Sequence, residues 1–166
     1  MDDAPARPYP HRMSRAFVRE DDGDAGDTLP ERPVSPHQNF VTREGLAALE
    51  AEIARLGDAL AEARAQDDSL AVAALGRDLR YFQRRLASAE PVAPPADHDT
   101  VQFGATVTIL RDDDRRQTWR IVGEDEADPK RGTLSYVAPL AIALLGRRVG
   151  DEITVAGHDA KIIAIA

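Results

Sequence analysis

The sequence predicts an α+β protein in which an antiparallel helical hairpin precedes a small antiparallel sheet with one helix. Between residues 42 and 90, large apolar residues recur at spacings of three and four, which is the period of a helix face. From Val101 onward they recur at every second residue, which is the period of a strand. A proline-rich stretch at 91–100 separates the two patterns, so we expect a linker there and a second unit at 101–166.

Residues 1–41 have the composition of a disordered tail. The segment contains six prolines and an acidic run from Glu20 to Asp27, with few large apolar side chains. Burial would therefore offset little of the entropy lost on ordering. Met13 is a candidate for the natural start of the chain, and Phe40 and Val41 lead into the first helix.

The hairpin is predicted from two heptad stripes over 42–90. Thr42 can cap the first helix, and a polar turn at 66–69 separates the stripes. Stripes of this kind let two helices interlock, so we expect them to face each other. They consist of Leu46, Leu49, Ile53, Leu56, Leu60 and Ala63, and of Val72, Leu75, Leu79, Phe82, Leu86 and Ala89.

Four arginines lie between the seam positions of the second helix, namely Arg77, Arg80, Arg84 and Arg85. One interpretation is a solvated face with a few salt bridges, which contribute little to stability. The other is a set of contacts with an acidic partner, for which Arg77, Arg80 and Arg84 are the candidates.

The C-terminal unit is predicted strand by strand. A strand begins at Val101, Asp112–Asp114 form a turn, and the chain returns through Trp119 and Ile121. A third strand covers 133–137, a short helix begins at Pro139, and a last hairpin pairs 152–155 with 161–165. The predicted core consists of Phe103, Val107, Trp119, Ile121, Leu140, Leu144, Ile153 and Ile163.

Composition excludes several functions. The chain has 166 residues and a formal net charge of −8, and it lacks cysteine. No apolar run approaches the roughly 18 residues of a membrane span, and an acidic chain is poorly suited to neutralising DNA phosphates. We therefore expect a cytoplasmic monomer without membrane contact or sequence-specific DNA binding.

The chain offers few candidates for chemistry of its own. Its four histidines are scattered without ligand spacing, and no nucleophile or phosphate-loop motif is present, so we expect no resident metal or cofactor. Asp67 and Asp68 stand at the far end of the hairpin. They are ordinary turn and cap residues, or else carboxylates offered to a metal ion that a partner holds.

Four segments resemble the bacterial Gre transcript-cleavage factors. They are TREGL at 42–46, VQFGATVTI at 101–109, WRIVGEDEAD at 119–128, and APLAIALLG at 138–146 followed by GDE at 150–152. The resemblance therefore covers about residues 40–166.

The resemblance implies a coiled coil that enters the secondary channel of bacterial RNA polymerase. It also implies an FKBP-like C-terminal domain without prolyl isomerase activity, which docks through the loop at Val137, Ala138 and Pro139. In active members two tip acids spaced Asp-x-x-Glu help to hold a Mg²⁺ ion in the polymerase active site. We accordingly expect an accessory factor with no free-standing catalysis, and so not an enzyme.

The chain departs from the family pattern in three places. The hairpin is shorter, Ala71 stands where the tip glutamate is expected after Asp68, and Ala138 replaces a serine. A shorter reach and a missing carboxylate favour occupation of the channel with weak or no stimulation of cleavage. One alternative is active cleavage through Asp67 and Asp68, and another is an interaction scaffold unrelated to transcription.

Overall fold

The computed structural model describes residues 29–166, and the predicted tail over 1–28 lies outside the described residues. The α+β prediction is confirmed. The elements are β1 (Phe40–Val41), α1 (Arg43–Ala65), α2 (Ser69–Ala87), β2 (Glu90–Pro91), β3 (Thr106–Arg111), β4 (Arg116–Val122), β5 (Thr133–Ser135), α3 (Pro139–Leu144), β6 (Glu152–Val155) and β7 (His158–Ile165). Over 29–166 no helix is both long and apolar enough to span a membrane.

Local side-chain chemistry sets the ends of the hairpin helices. The Thr42 hydroxyl accepts a hydrogen bond from the Gly45 amide at 2.9 Å, which satisfies a donor of the first turn of α1. The 23 residues of α1 give it a length of roughly 34 Å. At the far end Asp67 adopts a left-handed backbone with φ of 53°, and this residue reverses the chain into α2.

The two helices bury their seams unequally. On α1 four stripe residues are buried, namely Leu49, Leu56, Leu60 and Ala63. The stripe residues of α2 are only half-buried, and the buried residue of that helix is Arg85. The interpretation of Arg85 as part of a solvated face is therefore wrong, because acidic side chains of the C-terminal unit enclose its guanidinium.

The base of the hairpin is closed by the segment that precedes it. β1 pairs in parallel with β2, which brings the start of α1 beside the end of α2. The buried Asn39 amide donates to the Arg85 carbonyl at 2.6 Å and to the Ser88 hydroxyl at 3.2 Å. Residues 29–41 belong to the predicted disordered tail, yet Glu31 and Arg32 pair with side chains of α2, and β1 pairs with β2.

The C-terminal sheet has the strand order β5-β4-β3-β7-β6. β4 and β5 are parallel and the other neighbours are antiparallel, so the predicted antiparallel sheet is mixed at one edge. β3 begins at Thr106 rather than Val101, since Gly104 with φ of 87° turns the chain before the strand. α3 covers one side of the sheet through the buried Ala141 and Leu144.

The predicted core is correct except in β7. Val107, Ile121, Leu144 and Ile153 are buried, and Phe103, Trp119 and Leu140 pack against them. Ile163 is only half-buried and Ile162 takes its place in the core. The cause is a β-bulge: Thr108 pairs with Ala164 and Ile109 with Ile162, so Ile163 is the extra residue and the alternation shifts by one.

Candidate functional site

The hairpin tip presents two exposed aspartates with different backbone roles. Asp68 is the N-cap of α2, and its carboxylate accepts a hydrogen bond from the Ala71 amide at 3.0 Å. Asp67 occupies the left-handed position just before it. The following Leu70 is 71% exposed, so the end of the hairpin is acidic and partly apolar.

The tip does not fit a metal ion by itself. One Asp68 oxygen is engaged as a helix cap, and the position of the missing tip glutamate is the first-turn residue Ala71. Over residues 29–166 no group of three or more His, Asp or Glu side chains is arranged to hold a metal ion. Any Mg²⁺ near Asp67 and Asp68 would therefore have to be held mainly by a partner.

The three candidate arginines of α2 are paired with acidic side chains. Arg80 donates from Nε to a Glu31 carboxylate oxygen at 2.7 Å, and Arg84 contacts the second oxygen of the same carboxylate. Arg77 is paired with its neighbour Asp78 at 3.3 Å. The side chains of Arg80 and Arg84 remain about half exposed, so these pairs are accessible to water and to a partner.

The predicted docking loop leads into α3 and exposes apolar surface. Pro139 is the first residue of the helix, and Ala138 occupies the N-cap without a side-chain hydrogen bond. Val137 is half-buried, and its amide faces the Ser135 hydroxyl at 3.4 Å. Beyond Pro139, Ile142 is 62% exposed, so a partner could contact both residues on one turn of helix.

Sequence reasoning missed a buried ionic joint between the hairpin and the C-terminal unit. The Arg85 side chain is 2% exposed, and its Nε donates to Asp125 at 2.5 Å. A second carboxylate, Glu124, lies 3.7 Å from the same guanidinium. The Tyr81 hydroxyl also donates to Asp125 at 2.7 Å, and burial together with this bond raises the pKa of Tyr81.

A second contact, the Glu126 clasp, holds the start of α1 against the C-terminal unit. The Glu126 carboxylate accepts from the Thr42 amide at 2.8 Å, from the Thr42 hydroxyl and from the Gly123 amide at 3.2 Å. A Cβ on Gly45 would overlap this carboxylate, so a larger residue at that position would displace Glu126 from the clasp. The joint and the clasp fix the direction in which the hairpin tip points away from the sheet.

The sequence carried a partial signal for the joint and the clasp. Gly45 and the acidic run Glu124–Glu126 both fall inside the segments that resemble the Gre factors. The joint pairs residues 40 positions apart, and the clasp pairs residues 84 positions apart. Neither periodicity nor local spacing reveals contacts between residues so distant in the sequence.

Comparison with known proteins gives close sequence matches. A family model for the C-terminal part of the transcription elongation factors GreA and GreB matches residues 96–166. Transcription elongation factor GreA of Sphingopyxis alaskensis is 40% identical over 127 residues, which span 66% of this chain and 77% of the relative. The GreA of Nitrobacter winogradskyi is 37% identical over 147 residues, which span 76% of this chain and 93% of the relative.

Solved structures give more distant likenesses. The GreA factor homolog Gfh1 of Thermus thermophilus matches with a TM-score of 0.39 and 22% identity, over 78% of this chain and 99% of that chain. A GreA/GreB factor of Nitrosomonas europaea matches with a TM-score of 0.39 and 21% identity, over 77% and 98%.

The sequence relatives overturn one prediction. We predicted an accessory factor that is not an enzyme, whereas these relatives are named transcription elongation factors GreA. The sequence resemblance associates that family with RNA cleavage, so excluding enzymatic activity from the sequence was wrong.

Proposed function

The chain belongs to the GreA/GreB family of transcription elongation factors, and from this premise we propose that it binds bacterial RNA polymerase at the secondary channel. The hairpin enters the channel, and the loop at Val137, Ala138 and Pro139 docks at the rim. The factor modulates elongation or initiation, with weak or no stimulation of transcript cleavage.

The observation that supports weak cleavage is the geometry of the tip. Asp68 uses a carboxylate oxygen to cap α2, and Asp67 belongs to the turn that reverses the chain. Adjacent residues of a turn direct their side chains apart, which is a poor arrangement for two ligands of one small cation. Mg²⁺ requires oxygen ligands at about 2.1 Å in near-octahedral geometry, so small displacements are costly.

Docking is supported by the apolar surface around α3. Pro139 and Ile142 are exposed on one turn of the helix, and Val149 in the following loop is 55% exposed. Exposed apolar side chains beside a loop are suited to a small docking contact, because burying them against a partner is favourable. Replacing Ile142 with Asp should weaken polymerase binding, whereas replacing the exposed Thr154 of β6 should not.

One alternative, active cleavage through Asp67 and Asp68, is favoured by the exposure of both carboxylates at the end of the hairpin. In this version the polymerase supplies the remaining ligands and the tip acids help to hold a second Mg²⁺ ion there. That ion would stabilise charge on the oxygens of the cleaved phosphodiester.

Cleavage of RNA in purified backtracked complexes separates the two versions. We expect the wild-type protein to leave cleavage near the factor-free rate, and Asp67→Asn/Asp68→Asn to change nothing further. Asp58→Asn, an exposed aspartate on α1, is the matched control, and an active family member is the positive control. Strong stimulation that the tip variant abolishes, with polymerase binding retained, would establish the alternative.

The second alternative, a scaffold unrelated to transcription, is not supported, because the chain belongs to a family of transcription elongation factors. Failure of the full chain to bind core RNA polymerase at micromolar concentration would reject the proposed function.

A further inference from the structure

Residues 29–38 precede the hairpin and lie along α2. We call this segment the strap. Glu31 of the strap places one carboxylate between two guanidinium groups of α2. One oxygen lies 2.6 Å from Arg80, and the other contacts Arg84. The strap thus occupies the basic face of α2 that the sequence indicated as a candidate contact with an acidic partner.

The next residue extends the same contact toward the tip. The Arg32 guanidinium lies over the Tyr81 ring at 3.8 Å from its centroid and 3.5 Å from an Asp78 carboxylate oxygen. Charge therefore alternates across the interface, since Glu31 meets arginines and Arg32 meets an aspartate. This complementarity gives the strap a defined position on α2.

The strap is tethered at one end and weakly held at the other. Next to its C-terminal end, the side chain of Asn39 is buried and bonded to α2, and the Gln38 carbonyl accepts from the Tyr136 hydroxyl. At the other end the Glu31 and Arg80 side chains are 43% and 50% exposed, and ion pairs this exposed are individually weak. A short tether keeps the local concentration of the strap high even when its ion pairs open.

We propose that the strap is an intramolecular competitor that must leave Arg80 and Arg84 before an acidic surface of the polymerase binds them. The proposal rests on the proposed function, because the partner is the wall of the polymerase channel. When the strap is released, the two guanidinium groups exchange one carboxylate for another, so the charge pairing is conserved. The strap therefore lowers affinity without blocking the hairpin permanently.

We choose an acidic protein surface as the partner because a carboxylate, that of Glu31, already occupies the site between Arg80 and Arg84. A single carboxylate fits between the two arginines, and carboxylates on a protein wall offer the same group. RNA is disfavoured because the chain carries a net charge of −8, and phosphate binding depends on positive charge.

The test compares the affinity of core RNA polymerase for the full chain and for Glu31→Gln. Apparent affinity is reduced by the fraction of molecules in which the strap is closed, so we expect Glu31→Gln to bind about three- to fivefold tighter. Glu50→Gln removes the same charge from an exposed position of α1 and is the matched control. It should change the dissociation constant by less than about twofold, because an exposed distant charge is screened.

A double-mutant cycle ties the effect to the two arginines. Arg80→Gln/Arg84→Gln should weaken binding, and adding Glu31→Gln to that variant should have no further effect. If Glu31→Gln and Glu50→Gln bind core RNA polymerase with the same affinity, the strap proposal is rejected and the proposed function is unaffected. The same holds if Glu31→Gln tightens binding equally in the Arg80→Gln/Arg84→Gln background. Tighter binding of Glu31→Gln to single-stranded RNA, without a gain for polymerase, would reject the acidic surface. Absence of polymerase binding by every variant would reject both proposals.

Discussion

Arg85→Met is the change that most directly probes the joint between the hairpin and the sheet. Methionine preserves much of the apolar stem of the arginine but removes the guanidinium that lies 2.5 Å from Asp125 and 3.7 Å from Glu124. Both carboxylates would then lie at the joint without their cation.

The expected cost follows from the burial of the three groups. Breaking a fully buried ion pair by removing one partner costs about 3–5 kcal/mol. Here the Asp125 and Glu124 side chains are 14% and 22% exposed, so water relieves part of the penalty. We therefore expect a loss of about 2–3 kcal/mol in the free energy of unfolding, which is at or just below the bottom of that range.

Urea unfolding followed by circular dichroism measures this loss, and Arg84→Met is the matched control. Arg84 neighbours Arg85 on the same helix, but its side chain is 47% exposed, so its replacement should cost less than about 1 kcal/mol. Equal losses for the two variants would refute the assignment of Arg85 as the buried centre of the joint.

Three further changes test the contacts around this joint and the docking loop. Gly45→Ala should destabilise the protein by about 1–3 kcal/mol because its Cβ overlaps the Glu126 carboxylate. Gly57→Ala has open space in the same helix and should stabilise the protein by about 0.5–1 kcal/mol. Thermal unfolding of the two variants measures both changes. Ala138→Ser should supply the missing N-cap of α3 and stabilise the chain by about 0.5–1 kcal/mol in urea unfolding, and no gain would show that the cap cannot form. The pKa of Tyr81 is raised in the folded state, so the stability that depends on its neutral form is present below about pH 10 and is lost as the pH rises further. Tyr81→Phe should lessen this alkaline loss, and an unchanged pH profile would contradict the role of the Asp125 contact.

The helices and most strands were predictable because their apolar residues follow a local period. Leu49, Leu56 and Leu60 are buried as the heptad stripe predicts, and Val107 and Ile109 are buried as the alternation predicts. The bulge in β7 was not predictable, because Ile162 and Ile163 are both apolar and either could have faced the core.

The joint escaped prediction for a different reason. Arg85 follows Arg84 on a helix face that looks solvated from the sequence, and only its contact with Asp125, 40 residues away, distinguishes the two. The strap was equally hidden, since proline-rich segments with few large apolar residues normally lack enough apolar surface to fold. Its order over 29–38 depends on charge pairing with α2 rather than on burial.

A structure of the full chain bound to core RNA polymerase would show whether the hairpin enters the secondary channel. We expect the hairpin to lie in that channel, with Asp67 and Asp68 toward the active site and Pro139 and Ile142 against the rim. We also expect Arg80 and Arg84 to contact acidic residues of the channel instead of Glu31. A complex in which the hairpin lies outside the channel would contradict the proposed function.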